Sequence, residues 1–149
     1  MRNHKLVTLA LSFALSAAAC TSSAANRDDL NKLYESIGYY SSAHDVLVWF
    51  SLTEQCRYIF TTNNIPSLGS ISEDILVALP IEDHTFWGEY LAKESTKRKY
   101  LKSRQIIAEL YGRMTSSGTD TRTACGIISA KVIDEFGRAR RVFSEAALN

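Results

Sequence analysis

The sequence has almost no excess charge of either sign. Its formal net charge is +1 at pH 7. Two of its cations, Arg2 and Lys5, lie in the first few residues, and without them the chain carries one more anionic than cationic side chain. Proteins that bind nucleic acids need a basic surface to neutralise phosphates. The charge balance therefore indicates that no nucleic acid is the partner.

The sequence also lacks the short motifs that mark common catalytic and metal sites. It contains no GxSxG, no Ser-x-x-Lys and no HExxH motif. Beyond the first residues only His44 and His84 remain as histidines, with no second cysteine pair to complete a metal site. Glu54, Glu89 and Glu109 are interpreted as surface charges on helices. We therefore assign no catalytic residue, and we expect no metal and no other cofactor.

No apolar run is long enough to span a bilayer as a helix of about 20 residues. The longest, Leu6–Ala19, follows Arg2 and Lys5 and ends in three alanines. A positive start, a short apolar stretch and small residues before the cleavage site are typical of an export signal. We predict a signal peptide over residues 1–19, or to residue 25 if cleavage follows Ser23-Ala24-Ala25.

Cys20 follows directly after Ala17-Ala18-Ala19. This ending resembles the lipobox of bacterial lipoproteins, whose cysteine becomes the lipidated first residue of the mature chain. That family prefers Leu three positions before the cysteine, where this chain has Ala17. The resemblance implies lipid attachment at Cys20 and a protein anchored to the outer membrane. Ordinary cleavage after Ala19 or Ala25 is the alternative, and it gives a periplasmic protein without an anchor.

The three cysteines are an odd number for an exported protein. Lipidation or removal of Cys20 leaves Cys56 and Cys125, and an oxidising compartment favours their pairing. Each is expected near the middle of the core-facing stripe of a long helix. We predict a Cys56–Cys125 disulfide, and the alternative is a pair of buried thiols that act as small apolar residues.

The hydrophobic spacing predicts helices throughout the mature chain, with about 125–130 residues in one domain. We assign residues 20–26 to a tether and 27–149 to a single helical domain. Two polar loops, at 61–70 and 115–123, separate the predicted helices. These helices cover 27–40, 42–61, 70–79, 83–114 with a break near 95–99, and 124–148. An edge strand over 75–79 is the competing prediction. The expected fold class is all-α: a small bundle of five or six helices stapled by one disulfide.

Candidate recognition residues lie in and near the first loop. Ile65 and Leu68 belong to no helical stripe, and Pro66 restrains the backbone between them. They either pack back onto the bundle or offer an apolar anchor to a partner. Tyr58 and Trp87 join them as candidate contacts, because tyrosine and tryptophan are enriched at binding hot spots.

Further aromatic residues and a run of cations are open to two interpretations each. Several aromatic side chains, Tyr40 among them, are expected to be partly exposed. The cations between Lys93 and Arg104 form either a solvated helix face or a surface for an acidic protein or an anionic membrane.

These features favour an exported bacterial cell-envelope protein that acts as a non-enzymatic protein-binding module, of the inhibitor or immunity type. Its expected partner is another protein, and it meets the membrane only through a lipid anchor. A helical carrier of a small apolar ligand is the alternative, followed by a small envelope hydrolase. A cavity lined by Phe50, Phe60 and Phe136 would favour the carrier. Converging acidic groups would favour the enzyme, and an exposed aromatic patch would favour the binding module.

Overall fold

The computed structural model describes residues 22–53, 55–57 and 65–148. These residues form helices and contain no strand, so the predicted all-α class is confirmed and the edge strand over 75–79 is excluded. Five α-helices and one short 3₁₀ turn at Ile81–Asp83 follow in order. The α-helices are α1 Ser22–Leu52, α2 Leu68–Ala78, α3 His84–Ala92, α4 Glu94–Ser116 and α5 Thr121–Ala147.

α1 is a single helix of 31 residues, and the turn predicted near Tyr40-Ser41 was wrong. Its buried positions follow alternating steps of four and three through the predicted turn: Leu33, Ile37, Tyr40, His44, Leu47 and Ser51. This spacing keeps one face against the core, so nothing requires the helix to end. Ser41 also satisfies its hydroxyl within the helix by donating to the Gly38 carbonyl.

Both ends of α1 differ from the predicted ones. It begins at Ser22, so residues 22–26, which we assigned to a tether, are helical here. It ends at Leu52, which is exposed, rather than near residue 61. A turn follows in which the Cys56 N–H donates to the Thr53 carbonyl. Cys56 is therefore buried at the end of a turn and not on a helical stripe.

α5 lies antiparallel to α1, because His44 contacts Phe136 near the middle of both helices and Cys56 meets Cys125 at one end. The predicted core stripe of α5 is confirmed, with its centre formed by two rings stacked on Tyr40. Phe136 and Phe143 lie 5.6 and 5.0 Å from the Tyr40 ring, centroid to centroid. The Sγ atoms of Cys56 and Cys125 are at bonding distance and their Cα atoms are 5.4 Å apart.

α2 and α3 cover the first half of α1. The N-cap of α2 is Ser67, whose hydroxyl accepts from the Ser70 N–H, so the helix begins at Leu68, two residues before the predicted start. Pro80 follows the helix, as predicted. α3 docks through Phe86, whose ring centroid is 4.5 Å from that of Tyr34 on α1.

A break separates α3 from α4, but at Lys93 rather than at 95–99. Lys93 is extended, and its carbonyl accepts from the Thr96 and Lys97 N–H groups that open α4. α4 then runs parallel to α1, which pairs Arg104 with Asp45 at 2.9 Å. Asp45 was predicted to help cap a helix start at Ser42, which was wrong because both residues lie in the interior of α1.

The turn between α4 and α5 is shorter than predicted. Gly118 has φ +95°, a conformation that other residues rarely adopt, and it reverses the chain. Asp120 then caps α5 by accepting from the Thr123 N–H and hydroxyl, and these hydrogen bonds lower the pKa of Asp120. In the part of the chain that the structure describes, no helix has the length and apolarity needed to cross a membrane.

Candidate functional site

α4 is the helix that packs least completely. The one residue that it buries is Thr96, although the helix also carries several large apolar side chains. Ile107, Leu110, Tyr111 and Met114 contact the core and remain partly open to solvent. Leu101 and Ile106 are 59% and 54% exposed. An amphipathic helix ordinarily buries its apolar stripe, so α4 leaves apolar surface without a partner among the described residues.

The incomplete packing opens a groove between α1, α4 and α5, which we call the central groove. It is half-open and has a volume of about 300 Å³. α1 forms its floor and the other two helices its walls. Its lining consists of Tyr39, Ser42, Ala43 and Val46 from α1, Ser103, Ile106 and Ile107 from α4, and Lys131, Val132 and Glu135 from α5.

Two further depressions continue the central groove along α1. The first is a shallow depression between the first part of α1 and the last part of α5. It shares the lining residue Tyr39 with the central groove and reaches Lys32. The second is a narrow depression of about 170 Å³ beside Trp49 and Phe50, and it shares Ile107 with the central groove. The three depressions together, which we call the furrow, lie along α1 from Lys32 to Thr53 at its C-terminal end, about 30 Å at a rise of 1.5 Å per residue.

The acidic groups at the central groove are already engaged. The Tyr39 hydroxyl donates to a carboxylate oxygen of Glu135, and the other oxygen of Glu135 lies 3.6 Å from Arg138. Burial raises the pKa of Tyr39, and the hydrogen bond to Glu135 raises it further. On the other side of the floor, Arg104 binds Asp45 and lies 6.0 Å from the centre of the Trp49 ring.

The cations at the central groove are not paired in the same way. Lys131 lines the groove from α5. On α4, Lys99 and Lys102 lie one turn before the lining residues Ser103 and Ile106. All three lysines are exposed and have no ion-pair partner among the described residues. Within the predicted basic run, by contrast, Lys97 pairs with Glu94 and Arg104 with Asp45.

The candidate contact residues of the first loop do not form one surface. Ile65 is half-buried and packs against the core. The Pro66 carbonyl accepts a hydrogen bond from His44 Nε2 at 2.6 Å, which ties the loop to α1. Leu68 is 54% exposed. Tyr58 lies outside the described residues, as does Glu54.

Two aromatic side chains predicted to be partly exposed are buried, and that prediction was wrong. Trp87 is 4% exposed and donates its Nε1–H to Ser72 Oγ, while the Tyr40 hydroxyl donates to Asp74. A buried ring with a satisfied polar atom costs little. Trp87 is therefore part of the contact between α2 and α3, not of an exposed recognition surface.

The remaining polar candidates lie on different elements of the fold. His84 Nε2 lies 3.3 Å from the Leu79 carbonyl, and Glu89 and Glu109 are exposed on α3 and α4, as predicted. Among the described residues, no three histidine, cysteine or acidic side chains are grouped as metal ligands.

Analysis of the sequence did not find the central groove. Two signals pointed towards it: Ile106 at the edge of its helical stripe, and the unpaired cations one turn earlier. The walls come from helices far apart in sequence, so no local pattern brings them together.

The fold and the groove define an all-α protein with an open apolar furrow between three long helices. Comparison with protein families, with curated proteins and with solved structures found no match for the chain. The functional argument therefore depends on the furrow itself.

Proposed function

We propose that this protein is a non-enzymatic protein-binding module and that the central groove receives a segment of its partner. The observation that carries the proposal is the packing of α4, which leaves Ile106 exposed at the edge of a groove floored by Ala43 and Val46. Contiguous apolar surface rimmed by polar residues is characteristic of interaction sites. The shape favours a helix or an extended peptide, because the furrow follows α1 for about 30 Å.

The proposed setting is the bacterial cell envelope. The N-terminal segment supports export, and the lipobox resemblance supports an anchor at Cys20. In that oxidising compartment Cys56 and Cys125 form a disulfide that holds the end of α1 against α5. A small stapled bundle with one groove suits an inhibitor or an immunity-type protein, which acts by occupying a surface of its partner.

Site-specific photo-crosslinking in the native envelope tests the proposal. A benzoylphenylalanine at Ile106 should give a discrete adduct with one protein partner. Ile81 is the matched control, because it is an exposed isoleucine outside the furrow. Leu68 provides a third position, which tests the loop as the recognition edge. Adducts from Ile81 or Leu68 but not from Ile106 would contradict the groove as the binding site.

A carrier of a small apolar ligand is the second candidate, because the groove volume lies at the lower end of the range of ligand pockets, about 300–1,000 Å³. Such pockets usually enclose most of their ligand, whereas this groove is open along one side. Native mass spectrometry of the protein purified from its envelope separates the two functions. A retained small molecule that is lost in an Ile107→Asp variant would favour the carrier.

A further inference from the structure

We infer that the segment bound in the central groove is an amphipathic helix with acidic residues flanking its apolar stripe. This inference rests on the proposed function and names the chemistry of the partner. It follows from the small side chains of the floor, from the apolar walls and from the sign of the charges that remain unpaired at the rim.

The floor and walls provide room for protruding side chains. Ser42 and Ala43 are small and lie side by side on α1, so the space between the walls is not filled from below. Ile106 and Val132 provide apolar contact from the two sides. A helix that presents anchors at positions i, i+3 or i+4 and i+7 uses such a groove, as amphipathic helices do in other helical receptors.

The rim of the central groove carries more cations than anions once the ion pairs within the protein are counted. Lys131 on one wall, and Lys99 and Lys102 one turn before the lining residues of the other, have no carboxylate partner among the described residues. Glu135 accepts a hydrogen bond from Tyr39 and shares Arg138 with Asp134, whose carboxylate lies closer to the arginine at 2.9 Å. On α4, Glu109 accepts a hydrogen bond from Gln105, and Arg113 follows it by one turn.

Charge complementarity favours a bound helix with acidic rather than basic flanks. Acidic residues on both flanks of a bound helix would lie opposite lysines on both walls, whereas basic flanks would be repelled from both. A flat anionic membrane does not explain the same features, because its surface cannot enter a groove whose floor lies between two helices.

The test uses two synthetic amphipathic peptides of about 18 residues. Both carry the same leucines at helical spacing, and they differ in glutamate or lysine flanks. Fluorescence anisotropy of each labelled peptide with the purified protein measures binding at two salt concentrations. The glutamate peptide should bind about tenfold more tightly at low salt, and the difference should shrink as salt screens the charges.

Three variants locate the effect. Lys99→Glu with Lys102→Glu and Lys131→Glu should abolish or reverse the preference. Arg27→Glu with Lys93→Glu and Arg141→Glu is the matched control and should retain the preference, since these exposed cations line none of the three depressions and lie more than one turn from every lining residue of the central groove. Ser103→Phe should fill the groove and weaken both peptides, with circular dichroism confirming that the fold is kept.

Each contrary result has a distinct meaning. Equal binding of the two peptides, lost in Ser103→Phe, would overturn the acidic partner and leave the groove as a binding site. Unchanged binding in Ser103→Phe would place the peptides elsewhere and overturn the inference. Binding to phosphatidylglycerol vesicles through the three lysines, with neither peptide bound, would overturn it in favour of a membrane surface. No peptide binding together with no adduct from Ile106 would remove the proposed function as well.

Discussion

The two long helices that pack on α1, namely α4 and α5, do so in opposite ways. α5 buries a continuous stripe in which Cys125, Ile128 and Ala139 have no exposed surface. α4 has a similar length but buries only Thr96, and one hydrogen-bonded ion pair, Arg104 with Asp45, sets its position. The difference shows that one scaffold can use one helix contact for stability and another to leave apolar surface exposed. The α1–α5 contact provides the hydrophobic free energy, and the α1–α4 contact leaves apolar surface available.

Removing the predicted disulfide is the most severe test of the α1–α5 contact. The cysteines are 69 residues apart, so Cys56→Ala with Cys125→Ala should lower the free energy of unfolding by about 4 kcal/mol in the chain-entropy account. Urea unfolding followed by circular dichroism measures the change, with helical content kept at low temperature. Reduction of the wild-type protein is the control without mutation. Two alkylatable thiols in the unreduced mature protein would show that the disulfide does not form.

A matched pair of isoleucine truncations compares the two contacts directly. Ile128→Ala removes a fully buried side chain from α5 and should cost about 3–4 kcal/mol. Ile107→Ala removes a partly exposed side chain from α4 and should cost about 1–2 kcal/mol. Chemical denaturation of both variants gives the two values. Equal losses would mean that α4 is as firmly packed as α5, and the contrast would fail.

Breaking the ion pair of α4 should loosen that helix without loosening α5. Asp45→Ala removes a carboxylate whose side chain is only 18% exposed and leaves Arg104 without its partner, which should cost about 1–2 kcal/mol. Hydrogen exchange should become faster along α4 first. Arg104→Ala and the double variant complete a thermodynamic cycle. Faster exchange confined to α5 would contradict this account of how α4 is held.

Alkaline pH should weaken the attachment of α2 and the 3₁₀ turn to α1. Burial, together with their hydrogen bonds to Asp83 and Asp74, raises the pKa of Tyr34 and Tyr40 to about 12. Because the folded state holds these protons more tightly than the unfolded chain, this stabilisation is complete below pH 10 and is lost between about pH 10 and 12. Thermal melts across this interval measure it. Tyr40→Phe should lower stability by about 1 kcal/mol at neutral pH and reduce the alkaline loss.

The local hydrophobic pattern was enough to predict some helices correctly and not others. The α5 stripe was predicted because its apolar residues recur at helical spacing over many turns. The break between α3 and α4 was predicted because the apolar stripe changes sides along residues 83–114. Its position at Lys93 was not predicted, since neither glycine nor proline marks it. α1 was divided in two because Ser42 and Asp45 have the spacing of a helix cap. Only the neighbouring helices show that the two predicted halves share one buried face.

The sequence by itself determined the helical class and the core stripe of α5, because hydrophobic spacing is a property of neighbouring residues in the chain. The tertiary structure decided that Tyr40 and Trp87 are buried, because their burial depends on hydrogen-bond partners from other helices, Asp74 and Ser72. It also decided the central groove. A groove is the space that remains between packed helices, and its shape depends on how closely α4 and α5 approach α1. No stretch of sequence encodes that distance, which is set by the sum of contacts along three helices.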